Sequence, residues 1–538
     1  MKASCVASLT TQVPLTHPPK SCTRPTPPPT MPSSDHPSET SASSTLRARR
    51  SPSSSCPRPT SRTSRPPSSV AGSTASASGS EAAATTTRAC RTCRKVIGSS
   101  SSTSLLPVRH GRCRARHGLG SGGCNARRGL LYHREKNRTV GFSAGTCPTV
   151  GVGGHLSGGG LGTLSRKYGT AADNIVDARL VDVNGRILDR QSMGEDYFWA
   201  IRGGGAASFG IVLSYKIELN YVPPIVTAFN VIRALKQDAA KLVTKWQQIG
   251  PNLDENLYMR VITLAKDDDE AEGNRTIEAI FNSLYLGRCE ELLTVMGSSF
   301  PELGFEAADC NEMSWLESVL FFNNDSGRPT EVLLDRKQEF YISFKAKSDF
   351  VREPVTEIAL EEIWRFLMEA KDEPLMLFME PFGGVLNEIP ESATPFPYRK
   401  GNLYMIQYFM WWLETDMETT ERHLSWMRKL YAFMTPYVSK NPRAAYLNYK
   451  DIDLGRTARV WGPKYFKNNF NRLAYVKSKV DPHNFFRNEQ SIPPIKSLLD
   501  DDTQRERERE RESILWYHMM SSHSNVQLVS TLATTENL

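Results

Sequence analysis

Residues 145–160 hold seven glycines, one cysteine and one histidine in sixteen positions. Glycine at this density gives up backbone entropy unless the chain must turn sharply or approach something closely. Successive free N–H groups are how a main chain cradles a phosphate or a flat cofactor. Cys147 offers a thiol at the edge of such a cradle, a point of covalent attachment, and His155 adds an imidazole. A dinucleotide fingerprint is a poor reading, because it needs a strand before the glycines, a helix after them and an acid about 20 residues on. Here Pro148 precedes the run and glycines 158–160 continue it, so no helix is expected to open cleanly. Cys90 and Cys93 have a metal-like spacing but lack a second pair, so no metal site is expected.

These residues need a frame. Residues 174–183 alternate like a strand, Asn184-Gly185 supplies a hairpin turn, and 186–189 begin the return. A further strand is predicted over 209–219, and helical spacing over 234–246, 355–370 and 420–435. Residues 375–380 and 403–412 are apolar and aromatic enough for sheet strands, with Trp411 and Trp412 read as core. The fold class is α+β.

The 538 residues suffice for two or three domains, but the +8 net charge averages over a seam. Residues 1–135 carry twenty Lys and Arg against four acids, and seven of the ten cysteines lie there. That front is rich in Ser, Pro, Thr and Ala; the rest has an ordinary, net acidic composition. No apolar run reaches the roughly 20 residues of a membrane span, and no secretory signal is evident. Sequons at Asn137, Asn274 and Asn324 suit a secreted glycoprotein.

Several longer motifs follow one another in a recognisable order: GFSAGTCPTVGVGGHLSGGGLGTLSRKYG (141–169), AADNIVDARLVDVNGRILDR (171–190), GEDYFWAIRGGGAASFGIV (194–212), PESATPFPYR (390–399), WGPKYFKNNF (461–470) and DPHNFFRNEQSIPP (481–494). Through them the chain resembles the berberine-bridge-enzyme-like plant FAD oxidoreductases, of the vanillyl-alcohol-oxidase-type superfamily, over roughly 134–497. The resemblance implies a partial FAD-binding domain of PCMH type and a substrate domain with an antiparallel sheet backed by helices. Its expected bounds are 134–222 for the C-terminal half of the FAD domain, 223–444 for the substrate domain and 445–497 for a segment returning to the FAD domain. Residues 1–133 and 498–538 are expected to be disordered, the latter through the Arg/Glu alternation at 505–512.

Laid on matching positions, the resemblance implies FAD attached through Cys147. His155 would lie near the flavin N1/C2 carbonyl, where a donor stabilises the reduced ring; satisfying core backbone groups is the plain alternative. Val150, Gly151, Gly153, Gly154, Ser157, Gly158, Gly203, Gly204 and Gly205 would line the cofactor. Tyr449 would be the active-site base, although its pKa of about 10 must then be lowered locally. Gln407 would face the substrate, and a valine at 150 implies oxygen access. The implied reaction is hydride transfer from an oligosaccharide or lignin-precursor alcohol, with oxygen as acceptor, in a monomeric extracellular enzyme.

The family attaches FAD a second time, through a histidine in an upstream S-G-G-H-D-Y-E-G-L-S-Y-R segment. No counterpart occurs in residues 1–140, yet shifting the bases by one reads 82–92 from it. Residues 50–133 are accordingly expected to be out of frame, leaving an unpaired sheet edge at 174–219; an inactive product unable to hold FAD is the alternative reading of the chain. A shortened loop between Gly455 and Arg456 is a second departure. A nucleic-acid-binding basic arm is the remaining alternative reading of the front.

Overall fold

The computed structural model describes residues 117–121, 139–147, 150–268, 273–334 and 342–499, the first of these as backbone only. Expectations for Cys90 and Cys93, Asn137, the rest of 1–133 and the tail beyond 499 fall outside the described residues.

The strand predicted over 174–183 runs Ile175–Val181, β3, and a side chain builds its turn. The Asp182 carboxylate accepts the N–H groups of Asn184 and Arg186 at 2.9 Å each, and Gly185 takes φ 77°. The return strand, β4, is only Ile187–Leu188, because Asp189 already caps the next helix by accepting from the Ser192 N–H at 2.9 Å. The strand predicted over 209–219 is β5, Ile211–Glu218. It lies between β3 and β1, His117–Ser121, in the order β1-β5-β3-β4. The expected open edge is thereby corrected on the β5 side, where residues 117–121 pair antiparallel with 214–218. A ladder is made of main-chain groups, so β1 can close that edge whatever side chains it carries. Two short strands, β2 (Val140–Gly141) and β6 (Asn220–Tyr221), pair beside this sheet.

The second sheet has seven antiparallel strands: β7 (Val226–Ala234), β8 (Leu257–Asp267), β9 (Arg275–Tyr285), β10 (Asn311–Met313), β11 (Ser343–Val351), β12 (Leu375–Pro381) and β13 (Tyr404–Trp412). Their order is β10-β7-β9-β8-β12-β13-β11. The strands predicted at 375–380 and 403–412 are hydrogen-bonded neighbours here, Phe378 opposite Gln407. The helix predicted from 234 starts later. Residues 227–234 pair with 278–285, so Ala234 ends a strand; residues 235–237 make one 3-10 turn, and Asp238, at φ 58°, turns the chain into the helix.

Ten helices complete the described fold: α1 (Val152–Ser157), α2 (Ser165–Tyr168), α3 (Arg190–Ile201), α4 (Ala239–Ile249), α5 (Cys289–Ser299), α6 (Trp315–Phe322), α7 (Glu357–Glu369), α8 (Met417–Phe433), α9 (Ala458–Phe466) and α10 (Asn469–Val480). Thr356 caps α7 and Asp416 caps α8 by accepting from the Ala359 and Thr419 N–H groups, each such cap worth about 1 kcal/mol. The apolar stripes of α4, α7 and α8 bury Trp246, Trp364, Leu367, Met427 and Leu430 against one sheet face, that of Met259, Val261, Phe281, Leu377, Ile406 and Tyr408. Strand side chains alternate faces. Tyr258, Arg260, Asn282, Glu380 and Gln407 therefore project from the opposite face. Trp412 joins the helix-backed core, whereas Trp411 stacks on Phe409 across the sheet.

The C-terminal segment folds back onto α3 and the residues after it. Fully buried Lys477 donates to the carbonyl of Ser208 at 2.6 Å and to Asp481 at 2.6 Å, and Arg472 lies 4.0 Å over the Trp199 ring. Cys289 and Cys310 form a disulfide that ties α5 to the strand at 311. Among the described residues no helix is long and apolar enough to cross a membrane.

Candidate active site and flavin cradle

The glycine-rich segment opens with a tight turn, Val150 N–H to the Cys147 carbonyl at 3.2 Å, followed by α1. A helix does open inside the run, contrary to the expectation from its glycines. It lasts six residues and ends at Gly158, which donates to the Gly154 carbonyl. Its neighbours explain several of the glycines. A Cβ at Gly158 would lie 1.9 Å from Asn448 Oδ1, at Gly160 2.6 Å from the Ala171 Cβ, and at Gly162 1.8 Å from the Ala144 carbonyl oxygen. At Gly204 it would lie 2.4 Å from the Ala200 carbonyl oxygen. These positions are glycine because other parts of the chain come close. Gly151 has nothing within 4 Å, and Gly205 meets only a Leu447 methyl at 3.3 Å, so main chain is approachable there.

The two predicted glycine segments are one structure. The Ser157 carbonyl accepts the N–H groups of Gly203 and Gly205 at 2.9 and 2.8 Å, and Ser157 Oγ donates to the Gly154 carbonyl at 3.2 Å. His155 is buried and its Nε2 lies 2.8 Å from the Ser143 carbonyl. Burial pushes its pKa down, with the Ser143 contact opposing. The neutral ring then donates from Nε2 to Ser143, and Nδ1 is left as an acceptor.

A loop the sequence reading entered only for Tyr449 closes this cradle. Tyr446 Oη accepts the N–H groups of Gly160 and Leu161 at 2.9 and 3.3 Å. Asn448 donates to the His155 carbonyl at 3.1 Å and to Tyr446 Oη at 2.9 Å. The Tyr446 N–H reaches Ser348 Oγ on β11 at 2.8 Å. Tyr449 packs edge-on against Tyr446, ring centres 5.1 Å apart. The loop is held from behind by a buried ion cluster, Lys347 to Asp451 at 2.6 Å and to Asp453 at 2.8 Å, with Lys345 reaching both acids.

Opposite lies a polar chain that sequence reasoning missed. Arg260 donates through Nε to Asn282 at 2.7 Å, and through Nη1 to Glu380 at 3.3 Å and Thr146 Oγ1 at 3.4 Å. Tyr258 donates to the other Glu380 oxygen, and Asn282 donates to Asn230 at 2.5 Å. Residues 257–264 are apolar on both faces apart from Arg260 and Thr263, so the facing strands were needed to show which side chains meet. Cys147, a half-buried thiol outside any disulfide, follows Thr146 directly. Burial pushes the Tyr449 hydroxyl well above its ordinary pKa, Glu380, Tyr446 and Cys147 add to that, and Arg260 opposes it. A tyrosine so placed keeps its proton at neutral pH. Gln407 is buried between Ser348 and Phe378 on the same sheet face. Val150 is half-buried beside the Cys147 turn.

The conspicuous 390–399 motif does structural work instead. Buried Arg399 grips Asp173 through two hydrogen bonds of 2.7 and 2.8 Å, joining that motif to the turn before β3. Among the described residues no group of three or more His, Cys, Asp or Glu could hold a metal.

Approachable main chain at 151 and 205, the Cys147 thiol and an aromatic loop facing a polar sheet fit a flat, phosphate-bearing cofactor. Two family models match the segments that form this cradle: "FAD binding domain" over residues 127–190 and "Berberine and berberine like" over 445–493. Berberine bridge enzyme-like 22 of Arabidopsis thaliana is 53% identical over 380 residues, spanning 68% of this chain and 71% of that protein. The chain belongs to the berberine-bridge-enzyme-like family. It is thus an FAD-linked oxidoreductase of that family. Monolignol oxidoreductase AtBBE-like 13 of Arabidopsis thaliana is 49% identical, over 68% of this chain and 69% of its own. Among solved structures, the grass pollen allergen Phl p 4, with glucose dehydrogenase activity, matches at TM-score 0.66 and 42% identity, covering 71% of this chain and 77% of its own. A variant of that allergen with valine in place of isoleucine is described as a glucose oxidase.

Proposed function

We propose that this berberine-bridge-like chain oxidises an alcohol-type donor, an oligosaccharide at its anomeric carbon or a lignin-precursor alcohol, with oxygen as the electron acceptor. The observation that carries the reading is the meeting of Cys147, Tyr449 and the Arg260–Glu380 pair where the glycine cradle faces the sheet. FAD, held through Cys147 and against the main chain of 151–158 and 203–205, would accept the hydride at its N5 position. Gln407 orients the donor hydroxyl through its amide. Tyr449 takes the hydroxyl proton at its Oη, and because its environment favours the protonated form this role strengthens as pH rises. The Phe378 and Phe409 rings limit water at that face. Val150 leaves room for oxygen beside the Cys147 turn, in line with the valine variant of the pollen allergen.

The proposed division is 134–222 for the remaining half of the FAD domain, 223–444 for the substrate domain and 445–497 for the segment that returns to the cradle. Secretion and glycosylation are supported by the Cys289–Cys310 disulfide and by exposed Asn274 and Asn324. Hydrogen peroxide release is the test, with cellobiose and coniferyl alcohol offered to the flavin-loaded protein. No peroxide from either would overturn the oxidase reading. Residues 50–133 are proposed to be an out-of-frame translation, which the codon-shifted histidine segment supports. Reading the transcript across codons 1–140 decides this, since an unbroken frame as written removes the idea.

A further inference from the structure

Arg260 joins the sheet to the glycine cradle at one point. Its guanidinium reaches Thr146, the residue before Cys147, at 3.4 Å, while Glu380 and Asn282 hold it at 3.3 and 2.7 Å. It is 5% exposed and lies between the Phe322 and Phe378 rings, 5.2 and 5.4 Å from their centres. A buried cation so held acts on neighbours through a poorly screened field. Sequence separation hides this: Thr146 and Arg260 are 114 positions apart.

We propose that Arg260 is the positioning residue for Cys147, fixing the Thr146–Cys147 main chain against the sheet and favouring the thiolate over the thiol, with Glu380 setting how much of the cation's field reaches the sulfur. The proposal rests on the reading of Cys147 as the flavin attachment point. Burial disfavours the guanidinium charge, yet Tyr258, Glu380 and Cys147 together outweigh burial and hold that charge in place. Thiolate is the reactive form of cysteine, and cations beside it raise its share. The two members of the pair therefore act in opposite directions. Removing the cation lowers the reactivity of the sulfur, and neutralising Glu380 raises it.

The alkylation series uses the full chain produced without flavin, so that Cys147 is not already bonded. Iodoacetamide alkylation at pH 7.5 is followed on the tryptic peptide 139–166, in which Cys147 is the single cysteine. In that reaction the thiolate displaces iodide and forms a C–S bond, so the rate counts thiolate directly. Arg260→Met is expected to slow alkylation about tenfold, the effect of about one unit in thiol pKa. Arg260→Lys recovers most of the rate, and Glu380→Gln accelerates it above the parent. A parallel flavin-loaded sample is scored for flavin fluorescence that survives a denaturing gel, with Cys147→Ser as reference. Unchanged alkylation in Arg260→Met, or slowing by Glu380→Gln as well as by Arg260→Met, overturns the proposal. If parent and Cys147→Ser both lack gel-stable flavin, the attachment reading fails by itself, and the alkylation series still decides the role of Arg260. Arg260→Lys and Glu380→Gln keep the side-chain size, so the sign comparison survives if Arg260→Met does not fold.

Discussion

Lys347 is the most exacting place to test how the Tyr449 loop is held. It is 2% exposed, and its ammonium lies 2.6 Å from Asp451 and 2.8 Å from Asp453. Asp451, itself 3% exposed, takes the Tyr465 hydroxyl as its N–H partner and accepts Lys345 at 2.9 Å. Lys347→Met keeps the length of the side chain and removes the charge. Breaking a buried pair costs about 3–5 kcal/mol because the partner is left uncompensated. Lys345 still serves both acids and Arg428 still reaches Asp453, so the lower end, about 3 kcal/mol, applies. At roughly 2 °C per kcal/mol for a chain of this size, the melting temperature should fall by about 6 °C. The pH dependence carries a second signature. Burial raises the Asp453 pKa, but Lys347 and Lys345 outweigh it and hold the folded value below the ordinary one. A carboxylate depressed in the folded state contributes stability above its unfolded pKa of about 3.9 and loses it as pH falls through the folded value. The parent and Lys347→Met curves should therefore run apart at neutral pH and begin to converge only below about pH 4. Thermal scans from pH 3 to pH 8 measure both. A drop under 1 °C at pH 7, or a gap that stays constant into acid, would refute the reasoning.

Three further outcomes are expected. With Tyr449 as base, kcat/KM should climb about tenfold per pH unit up to at least pH 9, since only the ionised phenol accepts a proton; Tyr449→Phe should flatten that profile, and a plateau near pH 7 in the parent would argue against the role. Cys289→Ser opens a disulfide of sequence separation 21, which should cost about 3 kcal/mol; an unchanged denaturation midpoint in oxidising buffer would contradict this. Gly162→Ala places a methyl group 1.8 Å from the Ala144 carbonyl oxygen, a main-chain atom that cannot swing aside, so a loss of about 2–3 kcal/mol is expected, read as a shift in the urea midpoint. Gly151→Ala, with nothing within 4 Å, is the matched control and should leave that midpoint in place.

Local chemistry settled much of this protein before any tertiary contact. Alternation located β3, apolar and aromatic content located β12 and β13, β5 was legible as a strand, and the Asn184-Gly185 turn stands where its residues demand. The motifs around Cys147 and Tyr449 marked both walls of the site, because close main-chain approach leaves a glycine signature that can be read in a line. What the line could not hold was the identity of the neighbours. Gly158, Gly160, Gly162 and Gly204 answer to Asn448, Ala171, Ala144 and Ala200, and a missing Cβ does not name the atom that would have struck it. His155 turned out to satisfy the Ser143 carbonyl, a partner twelve residues away. The helix predicted from 234 begins only at Ala239, because Asp238 takes φ 58° and breaks the helical path that local spacing alone would continue. The Arg260–Glu380 pair lies 120 residues apart and was invisible until β8 and β12 were set side by side. Spacing along the chain determines which way a side chain points; only the order of strands determines what it meets, because that depends on contacts between residues far apart in sequence.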